Sequence, residues 1–413
     1  MQRLVRLSVL ALALLAAAPV LAEERLEKVV IVTRHGIRAA MSSPERLETA
    51  SARPWPRFSV PAGHLTQNGG KASTLQGAYY RQLYSSLGLL DGADCGAVYY
   101  RANLTQRTIA TANALGEGLS PGCAATVHTV GEGQADPLFE PVKAGVVQPD
   151  QALIRAAVAG RVGGALAHWS AAHRDAIDSL DALLMQCGVR SCPPAPGKRR
   201  IFDAIPGFSA ADGETAGIDG PEAFASGITE SLLMAWTDGQ DFARLGWKGL
   251  DEDRLLRVFS LHQAEFDLRL RTPAVARIGA GYLARQVLAT LQDAPDGVGH
   301  PGSKIVMIVG HDGTLAMLGG LLGLDWAAQG YQPGQIAPGG ALVFERWRRD
   351  DGERVIRVRY TVQTLAQLRE LRPLSLAVPP AVSPIFVPGC SQATPAFDCP
   401  LRDLAGRVAD AVR

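Results

Sequence analysis

Three short segments hold the side chains that could do chemistry: residues 33–38 (TRHGIR), residues 101–108 (RANLTQRT) and residues 310–314 (GHDGT). Between them they supply Arg34, Arg38 and Arg107, the imidazoles of His35 and His311, and the carboxyl group of Asp312. The planar fork of arginine donates two parallel hydrogen bonds and so suits phosphate oxygens. A neutral imidazole is a good nucleophile toward phosphorus, and a cationic cluster beside it offsets transition-state charge. A carboxylic acid can protonate a departing alkoxide. The set points to phosphate monoester chemistry. Taken singly, each piece has a plainer reading. Arg-His-Gly can be a solvated turn, His-Asp can simply cap a helix, and Arg107 can be a solvated helix residue. What joins them is where they fall along the chain.

Each segment follows a strand pattern and leads toward a helical one. Residues 29–32 (VVIV) and 305–309 (IVMIV) are continuous in β-branched and apolar residues, the mark of buried parallel strands. Residues 97–100 are a shorter third candidate. Strand, polar turn and helix form the unit of an open α/β sheet, whose ligand sites lie beyond the carboxyl ends of the strands. Segments distant in sequence can therefore meet at one point, and the helix starts, such as the one leading into residues 315–322, add donors for an anion. Residues 341–347 and 354–362 read as further strands.

From residue 149 to residue 271 the pattern is mainly helical, as in residues 152–159, 171–186 and 227–236. A loop rich in proline, glycine and basic residues, 192–200, interrupts it. The expected fold class is α/β: an open mixed sheet flanked by helices, with a helical insertion between the two ends of the α/β domain. The α/β domain takes residues 23–148 and 272–413, and the helical insertion takes 149–271.

The chain has 413 residues, 47% hydrophobic and 20% charged, which excludes a disordered or fibrous protein. With 41 basic against 40 acidic side chains it is no bulk-charge binder of nucleic acid. Residues 1–22 carry Arg3 and Arg6, a largely apolar run over 7–18, and Val20-Leu21-Ala22 for cleavage. That run falls short of the ~20 residues of a membrane helix, so it reads as a secretory signal rather than an anchor. The expected mature protein is soluble and periplasmic, with no membrane association. Six cysteines fit an oxidising compartment. Of the pairings open to them, nearest neighbours give Cys95–Cys123, Cys187–Cys192 and Cys390–Cys399, and no tight Cys-x-x-Cys pair suggests zinc.

Residues 29–38 (VVIVTRHGIR), with His311-Asp312 downstream, resemble the histidine acid phosphatases. The resemblance extends through residues 61–70 (PAGHLTQNGG), 106–112, 136–141 (DPLFEP), 271–277 (RTPAVAR) and 339–347 (GGALVFERW), nearly the whole mature chain in order. It is strongest to the branch of bacterial periplasmic glucose-1-phosphatases and phytases. The resemblance implies that His35 attacks phosphorus and becomes a phosphohistidine. Arg34, Arg38, Arg107 and His311 would bind the phosphoryl oxygens, and Asp312 would protonate the leaving oxygen, with no metal or other cofactor. It also implies the α/β domain with a helical domain over the cleft.

Departures from the family bear on substrate. Ala40 stands where members often have proline, and Met41-Ser42 where the phytase branch has a threonine–lysine pair. Gly279 replaces a further phytase arginine, and Gly313-Thr314 follow the His-Asp pair in place of Thr or Ser and then Asn. Fewer cations weaken the hold on a six-phosphate ligand. The expected substrate is a small phosphate monoester, a sugar phosphate such as glucose-1-phosphate with broad specificity, and the alternative is phytate.

Glu230 is either a cleft residue or an exposed helix carboxylate, and His262 is a second candidate to approach the cleft. His64, His128, His168, His173 and His300 are expected to be structural or superficial. Three competing readings remain. A metal-dependent hydrolase would use His35, His311 and Asp312 as ligands, but three arginines would repel the cation. A phosphate-ester binding protein would have no use for Asp312. A mutase of the wider superfamily fits poorly with an export signal.

Overall fold

The computed structural model describes residues 24–413, apart from 93–94, 194 and 214. The expected leader, residues 1–22, lies outside the described residues. The chain opens with β1 (Arg25–Arg34), α1 (Pro44–Glu48), α2 (Gln67–Ser86), β2 (Val98–Ala102), α3 (Gln106–Leu119) and β3 (Val127–His128). A mainly helical stretch follows: α4 (Gln151–Arg161), α5 (Leu166–Ala172), α6 (Arg174–Met185), the pair β4 (Gly207–Asp212) and β5 (Thr215–Asp219), α7 (Pro221–Thr237) and α8 (Glu252–Leu270). Then come α9 (Pro273–Leu291), β6 (Ile305–Gly310), α10 (Asp312–Leu322), β7 (Ala341–Arg348) and β8 (Arg354–Val362). The chain closes with α11 (Leu365–Glu370), β9 (Ala381–Ile385), β10 (Cys399–Pro400) and α12 (Leu401–Ala411).

Eight described strands make one mixed sheet in the order β10-β8-β7-β1-β6-β2-β3, with β9 also paired to β8. β1, β6, β2 and β3 run parallel, whereas β7, β8, β9 and β10 pair antiparallel. The apolar run of β1 is buried on both faces because helices cover both. Val29 and Ile31 face Tyr80 and Tyr84 of α2 and Leu115 and Leu119 of α3. Val30 and Val32 face the other layer, Ala280, Leu283 and Val287 of α9 with Leu315 and Leu318 of α10. That alternation follows from the two-residue period of a strand. α2 and α3 press so closely that a Cβ on Gly118 would lie 2.0 Å from the carbonyl oxygen of Thr74. Any larger residue there would force the two helices apart.

The α/β reading and its strand positions hold, with each strand differing by a few residues at most. The helical stretch differs in two places. Residues 171–186, read as one helix, break between α5 and α6 at His173. There His173 Nδ1 lies 2.9 Å from Glu222 Oε1, and the Ser170 hydroxyl donates to Glu222 Oε2 at 2.6 Å, so the chain is held against the start of α7. β4 and β5 pair antiparallel inside a stretch read as mainly helical. The core of the helical layer joins Leu180, Leu184, Leu232, Leu233, Val258 and Phe259 to Ala40, Leu47, Ala50 and Trp55. The segment following Arg38 is therefore the floor on which the helical layer rests. The three nearest-neighbour disulfides are formed. No helix among the described residues is long and apolar enough to cross a membrane.

Candidate active site

Register brings the three segments together. Arg34 at the end of β1 lies beside Gly310 at the end of β6, and Ala102 at the end of β2 lies beside Val309. The three parallel strands thus deliver residues 34–38, 103–107 and 311–312 to one edge of the sheet, as the open α/β topology requires.

The loop after β1 is clamped from outside. Thr66 caps α2 by accepting from the Gly69 amide at 2.9 Å, and its own amide donates to Ile37 O at 3.0 Å. Arg38 pairs with Leu65 in an isolated antiparallel bridge. Gly69 sits so close that a Cβ there would be 2.1 Å from Ile37 O. Backbone cannot yield as a side chain does, so Gly69→Ala must push the nucleophile loop out of place. We expect it to lower stability by about 1–3 kcal/mol, read as an earlier urea midpoint, and to reduce turnover with it.

His35 is buried. Its Nδ1 donates to Gly36 O at 2.8 Å, so the proton resides on Nδ1 and the Nε2 lone pair is free. Burial first, then Arg34, Arg38, His311 and Arg107, hold its pKa well below the usual histidine value. The imidazole therefore stays neutral in mild acid. His311, at the N-cap of α10, has its ring centroid 5.6 Å from that of His35. Its Nδ1 accepts from Arg107 Nη2 at 3.3 Å and its Nε2 donates to Asn103 Oδ1 at 3.2 Å. Burial and then Arg107 pull its pKa down to about 4.

The guanidiniums are held by backbone and by two carboxylates. Arg34, fully buried, donates from Nη1 to Ile336 O at 2.7 Å. Its Nη2 lies 2.9 Å from Asp312 Oδ2 and also binds Glu230 Oε1. Arg38 Nη2 shares that same Glu230 oxygen at 3.2 Å. Arg107, in the first turn of α3, is less enclosed, and burial followed by Arg38 lowers its pKa to about 10. Asp312 begins α10 and takes the Gly313 amide at 2.8 Å. Burial opposes its ionisation, but Arg34, His262, His35 and Arg38 together hold its carboxyl far below the ordinary range. In the resting site Asp312 is a carboxylate.

All six residues singled out by sequence meet here: His35, Asp312, Arg34, Arg38, Arg107 and His311. Glu230 is a buried site carboxylate, which excludes the exposed-helix reading. His262 approaches as well. It packs against Phe259 and Phe266, with Nδ1 2.9 Å from the Ser226 hydroxyl. Asn103, which binds His311 Nε2, carries no sequence signal beyond its position two residues before the cap of α3. Glu230, His262 and Asp312 present ligand atoms within 4.8 Å of one another, a different trio from His35, His311 and Asp312. The Arg34 guanidinium, though, binds both carboxylates and already supplies the cation between them.

Residues 25–362 match the family model of the histidine phosphatase superfamily, branch 2. The chain belongs to this superfamily. It is 36% identical to phytase AppA of Escherichia coli over 90% of this chain and 88% of that one. It is 30% identical to a glucose-1-phosphatase of Salmonella typhimurium, over 91% of this chain and 90% of the relative. Among solved structures, the Hafnia alvei phytase in complex with tartrate superposes with a TM-score of 0.87 at 32% identity, covering 96% of this chain and 98% of that one. As a member of the histidine acid phosphatases, this chain is a phosphoric monoester hydrolase.

Proposed function

We propose that the enzyme hydrolyses phosphate esters of sugars and polyols through a phosphohistidine at His35. The observation that carries this reading is the free Nε2 of a neutral His35 inside a ring of three arginines. The phosphoryl group lies among Arg34, Arg38 and Arg107, beside His311, whose ring is held in place by Arg107 and Asn103. His35 Nε2 attacks phosphorus, a P–N bond forms and the ester P–O bond breaks. Asp312 gives its proton to the leaving oxygen. Water then attacks the phosphorus, releasing phosphate and restoring His35.

Asp312 is ionised at rest, so the donor must be charged with a proton as substrate binds. The incoming phosphate engages Arg34 and takes away the cation that keeps the carboxylate ionised, so the Asp312 pKa rises. Acid pH assists that step while His35 stays neutral. Activity should therefore persist as pH falls to about 4, where His311 takes up a proton, and should decline above neutrality as the proton on Asp312 is lost. An optimum above neutrality would contradict this.

The function is tested by phosphate release from glucose-1-phosphate, phytate and an aryl phosphate between about pH 4 and pH 7, with a chelator present. Turnover is expected to survive the chelator undiminished. Loss on chelation would favour metal assistance at Glu230, His262 and Asp312. Both glucose-1-phosphatases and phytases stand among the relatives, and the phytase reading draws on the Hafnia alvei superposition. The leader-like residues 1–22 and the three disulfides support export to the periplasm.

A further inference from the structure

Asn103 holds one ring nitrogen of His311 and Arg107 holds the other. Asn103 directly follows β2, and its amide extends the sheet by donating to Val309 O at 3.1 Å. The Thr108 hydroxyl donates to Asn103 O at 2.6 Å, and the residue is buried. Asn103 Oδ1 accepts from the Thr105 amide at 3.2 Å, in the turn that leads into α3.

That last contact fixes which atom of Asn103 faces His311. A backbone N–H can only donate, so the side-chain atom beside it is the carbonyl oxygen and not the amide nitrogen. His311 Nε2 lies 3.2 Å from the same oxygen and must therefore carry a proton. In a neutral imidazole the other nitrogen is then an acceptor. Arg107 Nη2, which can only donate, stands 3.3 Å from Nδ1. Both ends of the ring agree on one tautomer. It is the opposite of the tautomer of His35, whose Nδ1 donates to Gly36 O.

Arg107 depends on that acceptor more than its neighbours would. Arg34 and Arg38 are both bound by Glu230, and Arg34 also by Asp312. Among the described residues, the Arg107 side chain bonds to His311 Nδ1 and to Gly63 O, the latter at 3.5 Å, the limit of hydrogen-bond distance. Its buried Nε has no partner there.

We propose that Asn103 is a positioning residue: it fixes His311 as the Nε2–H tautomer, and the Nδ1 lone pair then holds Arg107 in place for the phosphoryl group. This rests on the function proposed above, in which Arg107 binds that group. His311 serves the phosphate through Arg107, with no hydrogen bond of its own left to give.

The tautomer is read on the resting wild type, carrying isotope-labelled histidine, by proton–nitrogen correlation NMR, with the His311 signals assigned from His311→Ala. His311 should show a protonated Nε2 and a bare Nδ1, and His35 the reverse. Orthophosphate affinity is then measured by calorimetry in the wild type, Asn103→Leu, His311→Ala and the double variant, a cycle that isolates the coupling between the two residues. Leucine approximates the shape of asparagine without its oxygen acceptor. Asn103→Leu should weaken orthophosphate binding about tenfold. Added to His311→Ala, it should change affinity by less than about twofold. A residue that merely starts α3 would cost as much in the His311→Ala background as in the wild type, and that result would overturn the proposal. So would a proton on His311 Nδ1, or unchanged affinity in Asn103→Leu. Neither readout needs turnover, so both decide the role of Asn103 even if the wild type were inactive on every ester, the result that refutes the phosphatase reading.

Discussion

His35→Ala should lower phosphate release by about 10⁴-fold or more on every ester. The loss is this large because no other side chain at the site can replace the nucleophile. His311 has its Nδ1 engaged by Arg107 and its Nε2 protonated toward Asn103. Glu230 and Asp312 are carboxylates bound by arginines. The arginine cage remains, so orthophosphate should still bind the variant. Steady-state phosphate release together with orthophosphate binding by calorimetry distinguishes lost chemistry from lost recognition. Retention of a tenth of the wild-type rate would remove His35 from the mechanism.

Asp312→Asn is the second large effect, and its pattern says more than its size. For an ester with a poor leaving group, such as a sugar phosphate, kcat should fall by about 10²–10⁴-fold, the contribution of a positioned acid. For an aryl phosphate the fall should be much smaller, because the phenolate departs without a proton. Binding should move the other way. Asp312 competes with phosphate for Arg34 Nη2 at 2.9 Å, and an amide no longer offers that charge, so orthophosphate should bind more tightly. Rates on the two ester types and the orthophosphate inhibition constant check all three parts. An equal loss on both ester types would assign Asp312 a role other than proton donor.

Much of this site is legible in the sequence because it is built from local signals. Continuous β-branched runs before residues 33–38 and 310–314 mark strands buried on both faces, and parallel strands bring their ends together. Arg34, His35, Arg38, Arg107, His311 and Asp312 follow from that rule and from the family resemblance. Glu230 is harder to assign, because α7 is buried nearly all round and its pattern does not say which polar residue faces the cleft. His262 and Asn103 act through contacts that exist only after α8, α10 and β2 are assembled. Electrostatics is the least legible of all. Asp312 reads as an acid from its neighbours in sequence, whereas Arg34, reaching it from another strand, makes it a carboxylate at rest. The break at His173 likewise depends on a tertiary partner, Glu222, and the pairing of β4 with β5 on a core that Ala216 and Ile218 share with Ile154 and Leu268.

The central claim is a covalent phosphoenzyme at His35, and it is tested most directly by trapping that species. Enzyme mixed with an excess of phosphate-labelled ester is quenched in alkali within a turnover, digested and analysed by mass spectrometry. Label is expected on the imidazole of His35, to appear as fast as the leaving group is released, and to be absent from His35→Ala. Full turnover with no label on His35, or label on another residue, would contradict the account.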